Sequence, residues 1–279
     1  MAIVIIGASS GPGRMLFERL RDEDREIVGI ARNQRGLQPT DRARFVTLDA
    51  ADALALNDTI SADDTVIHCS RPEFLTGLLT LKPEFARLIA IGSTRIYTRF
   101  PDDKCARLAA MAHAIWMSDL PATILHPTMI YGAPGLNNIE RVMTIARRVP
   151  FIPLPLGGSA LIQPVHASDV VSAIVACLDD SETTARTMII PGGAAITYRQ
   201  FVEACIKAAD SHSRVVSLPY WLMSILGWIT QLTPFIPDIT QEEIRRLLED
   251  KAYDTDDACQ LLGVEPLDFE TGLSRLKLT

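Results

Sequence analysis

"VIIGASSGPGR", Val4 to Arg14, is the stretch on which the fold turns. An apolar, β-branched run gives way to three glycines, Gly7, Gly11 and Gly13. It continues into "RMLFERLRD", whose apolar residues recur at helical spacing. A glycine turn between strand and helix lets backbone N–H groups approach a ligand's phosphates, and the helix start adds favourable partial charge. Taken alone such a turn is a weak signal, because glycines also serve the steric needs of tight turns. Its weight comes from the pattern of the next hundred residues.

Short apolar runs alternate with helix-length segments up to about residue 130: "AIVII" (2–6), "EIVGIA" (26–31), "RFVTL" (44–48), "TVIHC" (65–69), "RLIAIG" (87–92) and "ATILH" (122–126). Near-continuous hydrophobicity at this spacing predicts parallel strands covered on both faces. The expected fold class is therefore α/β, a Rossmann-type doubly wound parallel sheet over residues 1–130. A smaller, mixed substrate lobe is expected over 131–279, with segments around 160–192 returning to the sheet. Beyond Pro127 the Gly/Pro-rich stretches "IYGAPGLNN" and "VPFIPLPLGG" mark that change. Thr197 and Gln200 have the spacing of a capping box, and Ser168 or Asp169 is expected to cap the helix in "HASDVVSAIVACL".

The chain's 279 residues, 48% hydrophobic and 22% charged, suffice for a sizeable core. A formal net charge of −7 and a pI near 5.3 exclude a general grip on nucleic acid, which needs clustered Lys and Arg. Five scattered cysteines with no C-x-x-C pair offer neither zinc nor disulfide spacing and suit a reducing cytoplasm, and no metal is expected. Ala2 to Ile6 is too short for a secretory apolar core. The one membrane-like stretch, "LPYWLMSILGWITQLTPFIP" (218–237), is interrupted by Pro and Gln and falls short of the ~20 apolar residues of a membrane span. Residues 219–233 read either as a lid over a cleft or as a face for another protein or a membrane surface. Both readings stay open.

Which dinucleotide the glycine turn would take depends on the end of the second strand. An acidic residue there would bind the ribose 2′-OH of NAD, whereas arginine suits the 2′-phosphate of NADP. The strand ends "IARNQR", so Arg32, with Arg14 behind the glycines, favours NADP(H) over NAD(H). The alternative is that both arginines only solvate the ends of their elements.

At this point the chain resembles the short-chain dehydrogenase/reductase superfamily, in its extended and atypical branch of NAD(P)-dependent epimerase/dehydratases. "GASSGPGR" is similar to the family's glycine loop, "LDAAD" to its third-strand aspartate segment and "TVIHCS" to the fourth-strand segment along the cofactor. "IGSTRIY" resembles the segment that carries the catalytic serine, "ILHPTMIYG" the one beside the nicotinamide, and "LIQPVHASDVV" the entry to the substrate lobe. The resemblance implies that Gly7, Ser9, Ser10, Gly11, Pro12 and Gly13 form the cofactor-binding loop, with Arg14 behind it also at the cofactor. It puts Asp49 and Ala50 at the adenine, and Cys69, Ser70, Pro127 and His126 along the cofactor, His126 standing where an arginine is usual. It also implies a small-molecule or nucleotide-sugar substrate and pairing of two copies through helices that flank the sheet.

The resemblance places Ser93 on the catalytic serine. The family's Tyr-x-x-x-Lys pair, which moves the substrate's hydroxyl proton, is matched only by "FPDDK", with Phe100 four residues before Lys104. Three readings stay open. Lys104 holds the nicotinamide ribose while Tyr97, four residues after Ser93, takes the proton role; or the site keeps the nucleotide and has lost redox chemistry, as in a sensor or assembly protein; or the alignment shifts along the following helix. Among other polar residues, His68 is expected to be a satisfied core or cofactor-lining residue, His113 to pack on an Ala/Met-rich helix, His166 to make a structural hydrogen bond, and Asp102 and Asp103 to serve a helix start.

Overall fold

The computed structural model describes residues 1–34, 36–136, 138–223, 241–254 and 256–276. Its first half is built as strand and helix in alternation: β1 (Ile3–Ile6), α1 (Gly11–Leu20), β2 (Ile27–Ala31), β3 (Ala43–Thr47), α2 (Ala53–Thr59), β4 (Thr65–His68), α3 (Pro72–Leu79), β5 (Arg87–Ile91), α4 (Asp103–Trp116) and β6 (Ala122–Pro127). The second half holds β7 (Ile130–Tyr131), α5 (Asn138–Arg148), β8 (Phe151–Pro155), β9 (Leu161–Ile162), β10 (Val165–His166), α6 (Ala167–Asp179), β11 (Thr187–Ile190), β12 (Ile196–Thr197), α7 (Tyr198–Ala208), β13 (Arg214–Leu218), α8 (Gln241–Arg246), α9 (Asp256–Leu262) and α10 (Phe269–Ser274).

Seven parallel strands form one sheet in the order β11-β6-β5-β4-β1-β2-β3. Strand order reverses between β1 and β4, whose register pairs Ile6 with His68, and the crevice at their carboxyl ends is where open α/β sheets bind ligands. The period-2 geometry of a strand explains why these segments are apolar throughout. Ile3 and Ile5 face a core with Leu16, Phe17 and Leu20 of α1 and Val170 and Ile174 of α6. Val4 and Ile6 face the opposite core, with Leu75 and Leu78 of α3 and Leu108 and Met111 of α4. Phe17 is fully buried, which stabilises by about 2–3 kcal/mol relative to exposure, and a Cβ on Gly29 would stand 2.8 Å from its ring.

A third core belongs to the smaller lobe. Tyr131, Ile139, Met143, Phe201, Phe269 and Leu273 pack there, with the ring of Phe269 5.2 Å from Tyr131 and 5.1 Å from Phe201. Parallel pairing of β13 with β8 completes that lobe, a strand unforeseen from the sequence despite its "RVVSL" run. Helix α6 and strand β11 return to the main sheet. So does α9, whose Leu261 and Leu262 pack on the α1/α6 side, although residues beyond 192 were expected to stay with the lobe.

Local signals held at several ends and failed at others. Asp102 caps α4 through Cys105 N at 2.9 Å, and Thr197 with Gln200 closes the expected box on α7. Helix α6 begins earlier than expected: His166, not Ser168 or Asp169, is its N-cap, and its ring accepts from Ser168 N at 3.2 Å. His113 does not pack. The buried stripe of α4 is Cys105, Leu108, Met111 and Ile115, and a residue two places beyond Met111 points to the far side, where His113 is exposed. No described helix is long and apolar enough to cross a membrane, and no cluster of three potential metal ligands occurs among the described residues.

Candidate functional site

The glycine turn is built by its own backbone. Gly7 has φ +86°, and Gly7 N and Ala8 N both donate to Ile30 O, at 2.8 and 3.1 Å. Ser10 caps α1 through Gly13 N at 3.2 Å. A Cβ on Gly13 would lie 2.3 Å from Gly7 O, and one on Gly7 would lie 2.8 Å from Cys69 O, so both positions exclude any other residue. Pro12 sits in the first helical turn, where its missing N–H costs no intrahelical bond but removes one donor from the helix start. Gly11 is covered by the turn 133–136: its Cβ would stand 3.0 Å from Ala133 Cβ and 3.3 Å from Leu136 Cγ.

Ser9 and Ser70 are half-buried, and Ala50 is buried beside the exposed Asp49, whose Oδ1 accepts from Ala51 N at 3.0 Å. Burial pushes the Cys69 thiol up to about 12, so it is a neutral wall group. Arg14 is paired with Glu18 at 2.8 Å, one turn along α1. Arg32 is exposed at the end of β2 and has no carboxylate partner among the described residues. His68 is buried, yet neither ring nitrogen has a hydrogen-bond partner among the described residues, which corrects the expectation of a satisfied core histidine. Its ring lies on the α3/α4 side of β4, among aliphatic side chains that offer nothing to bond. Desolvation holds its imidazole down to about 4.

Beyond β5 the backbone turns at Gly92 and Ser93 into a short 3-10 helix, Thr94–Tyr97. Ser93 Oγ caps it by accepting from Arg95 N at 3.2 Å, leaving the hydroxyl proton to be donated elsewhere. His126, 1% exposed on β6, hydrogen-bonds the Ser93 backbone through Nδ1 at 3.2 Å and carries the Tyr97 ring edge-on, centroids 5.5 Å apart. Burial keeps His126 below its ordinary value and raises Tyr97 above its own. Asp102 forms a bidentate pair with Arg95, one bond at 3.1 Å, and that guanidinium holds the carboxyl down to about 2. Lys104 lies one residue into α4 and is exposed, as is Phe100.

A chamber of about 550 Å³ opens at the carboxyl ends of β5 and β6, between sheet and lobe. Ser93, Thr94, Pro127 and Thr128 form its sheet side, and Val142, Ile152, Phe201 and Met223 its lobe side. Of the expected catalytic residues it takes in Ser93, while Tyr97 and Lys104 stand outside its lining. Leu136 belongs to its wall and also touches the glycine turn. Sequence reasoning assigned no site residue to the segment after α8, of which Glu249, Lys251 and Tyr253 line the chamber. Their one visible signal was three ionisable residues at alternate positions in "EDKAY". Of residues 219–233, Met223 reaches the chamber and Trp221 is 63% exposed, while 224–233 lie outside the described residues.

Comparison with known proteins bears on this arrangement. No family model matches the chain. An uncharacterized protein of Mycobacterium tuberculosis is 39% identical over 70 residues, which are 25% of this chain and 8% of that protein, so the chain spans a small fraction of that relative's length. The 40 kDa subunit of mitochondrial NADH-ubiquinone oxidoreductase from Neurospora crassa is 22% identical over 95% of this chain and 76% of its own. Among solved structures, UDP-glucuronic acid 4-epimerase from Bacillus cereus, in complex with UDP-glucuronic acid and NAD, superposes with a TM-score of 0.71 at 16% identity, covering 98% of this chain and 97% of that one. A nucleoside-diphosphate-sugar epimerase from Staphylococcus aureus gives 0.73 at 14% identity over 99% and 100%. The chain therefore has the fold of the extended short-chain dehydrogenases/reductases, and the resemblance read from its segments holds at that level.

Proposed function

We propose that the chain binds a nicotinamide dinucleotide across the β1/β4 crevice and acts, as an epimerase/dehydratase-like oxidoreductase, on a hydroxyl or carbonyl group of a small molecule in the chamber. The observation that carries this reading is Leu136, whose Cγ would lie 3.3 Å from a Cβ on Gly11 of the glycine turn and which also lines the chamber that takes in Ser93. A ligand over the turn and one in the chamber would thus be neighbours. The residues fit the cofactor: a cradle with no room for side chains at Gly7 and Gly13, the start of α1, and walls from Ala50, Cys69 and Ser70. Bound there, the dinucleotide would supply or accept hydride.

The chain's own part is to hold and polarise the substrate oxygen. Ser93 donates its hydroxyl proton into the chamber, and His126 fixes the Ser93 backbone from behind. Tyr97, held on His126, is the proton carrier of this reading, and Lys104 holds the nicotinamide ribose. Arg32 favours NADP(H), since the Arg14 charge is already answered by Glu18. In the test, purified protein with NADPH or NADP⁺ is offered hydroxyl and carbonyl substrates, nucleotide sugars among them. Turnover that Ser93→Ala and Tyr97→Phe each abolish supports the reading, and turnover unchanged in both variants refutes these roles.

A second reading has one specific observation behind it: Phe100 stands at the tyrosine position, and both it and Lys104 are exposed outside the chamber lining. In this reading the chain binds dinucleotide without hydride transfer, as a sensor or an assembly subunit, in keeping with the subunit name of its Neurospora relative. Dinucleotide binding without cofactor consumption in any substrate pool separates it from the first.

A further inference from the structure

The segment after α8 crosses the chamber as a strap tied at both sides. Glu249, 8% exposed, accepts from Thr98 Oγ1 at 2.7 Å and from Arg99 N at 2.5 Å, which binds the strap to the loop before α4. Lys251 N donates to Leu161 O at 2.7 Å and Tyr253 N to Gln163 Oε1 at 3.0 Å, which binds it to the lobe at β9. Between these ties the Lys251 side chain lines the chamber. Among the described residues its ammonium makes one hydrogen bond, at 2.6 Å to Arg246 O, and has no ion pair.

Among the described lining residues, cations outnumber carboxylates. Arg95, Arg141 and Arg246 line the same chamber, and Glu249 is the one lining carboxylate among the described residues. That carboxylate is engaged with Thr98 and Arg99. A partly buried ammonium has three donors to satisfy and a desolvation cost that a neutral carbonyl offsets poorly. A ligand oxygen bearing negative charge would supply what the described residues do not.

We propose that the chamber takes a ligand with an anionic group, a carboxylate or a phosphate, and that Lys251 is the residue that engages it. The inference rests on reading the chamber as a substrate site, and it is independent of whether a dinucleotide binds. Burial, reinforced by Arg246 and Arg95, holds the free Lys251 ammonium down to about 8, against a smaller opposing pull from Glu249. An anion beside it would restore the proton. Binding should then take up protons near pH 8, and affinity should fall as pH rises through that value.

Calorimetry on the full chain tests this with malonate and sulfate, whose charges are constant between pH 7 and 9.5, each with and without saturating NADPH. The expected result is binding of at least one probe, with affinity falling up to about tenfold per pH unit above about 8. Lys251→Met should weaken it about tenfold or more, and Lys251→Arg should retain it with a flat pH profile, because arginine stays charged. Malonate binding alone indicates a carboxylate ligand and sulfate binding alone a phosphate. Absence of binding by either probe to folded protein, or binding that Lys251→Met leaves unchanged, overturns the proposal. Anion binding that depends on Lys251 in protein that takes no dinucleotide would keep this inference and sink the oxidoreductase reading.

Discussion

His126 Nδ1 stands 3.2 Å from both the backbone nitrogen and the backbone oxygen of Ser93, across the carboxyl ends of two neighbouring strands. The contact requires the glycine before it: a Cβ on Gly92 would lie 2.5 Å from the same nitrogen. The serine that opens the chamber is therefore positioned by an imidazole packed against bare backbone.

Gly92→Ala should destabilise the protein by about 1–3 kcal/mol, the usual cost of overpacking a buried site. Combined with His126→Ala, which removes the obstructing ring, the double variant should lose less than the sum of the singles by a similar amount. Urea unfolding of the four proteins measures this, and strict additivity would show that the ring and the glycine are not coupled.

His68 should make stability depend on pH. The unfolded chain protonates this imidazole at its ordinary 6.5, whereas the native site resists until about 4. The unfolded state thus binds the extra proton between those values, and stability falls as pH drops through that window, by about 2–3 kcal/mol. His68→Leu should flatten this component when urea midpoints at pH 7, 5.5 and 4.5 are compared. Equal slopes in both proteins would contradict the buried, unpartnered imidazole.

Asp102 acts in the opposite range. Its native value is held at about 2 from an ordinary 3.8 by the Arg95 pair, so its contribution is full above about 4 and lost as pH falls through about 2. Asp102→Asn keeps a capping oxygen for Cys105 N and gives up the ionic pair, at a cost of about 1–2 kcal/mol after screening. Asp102→Ala also removes the cap and should cost about 1 kcal/mol more. Thermal melts at pH 7 separate the two, and identical melts would mean that the cap contributes nothing.

Arg32→Ala should lower NADPH affinity about 10- to 100-fold, the range for losing a charge-assisted bidentate contact, and change NADH affinity less than threefold. Competitive titration with both nucleotides decides it. Equal weakening of the two would remove the argument for NADP.

Sequence by itself determined six of the seven strands of the frame, because strand and helix periods, the glycine turn at residues 7–13 and the capping pair Thr197–Gln200 are local patterns carried by adjacent residues. It also marked Ser93, through a segment of recognisable order. Only the tertiary structure decided that His166 caps α6, that His113 faces outward while His68 is buried without a partner, and that Tyr97 and Lys104 lie outside the chamber lining. The strap shows the reason most plainly: Glu249 meets Thr98 across 151 positions and Tyr253 meets Gln163 across 90. No periodicity or spacing encodes a contact of that separation, since it depends on how two folded lobes come to rest against each other.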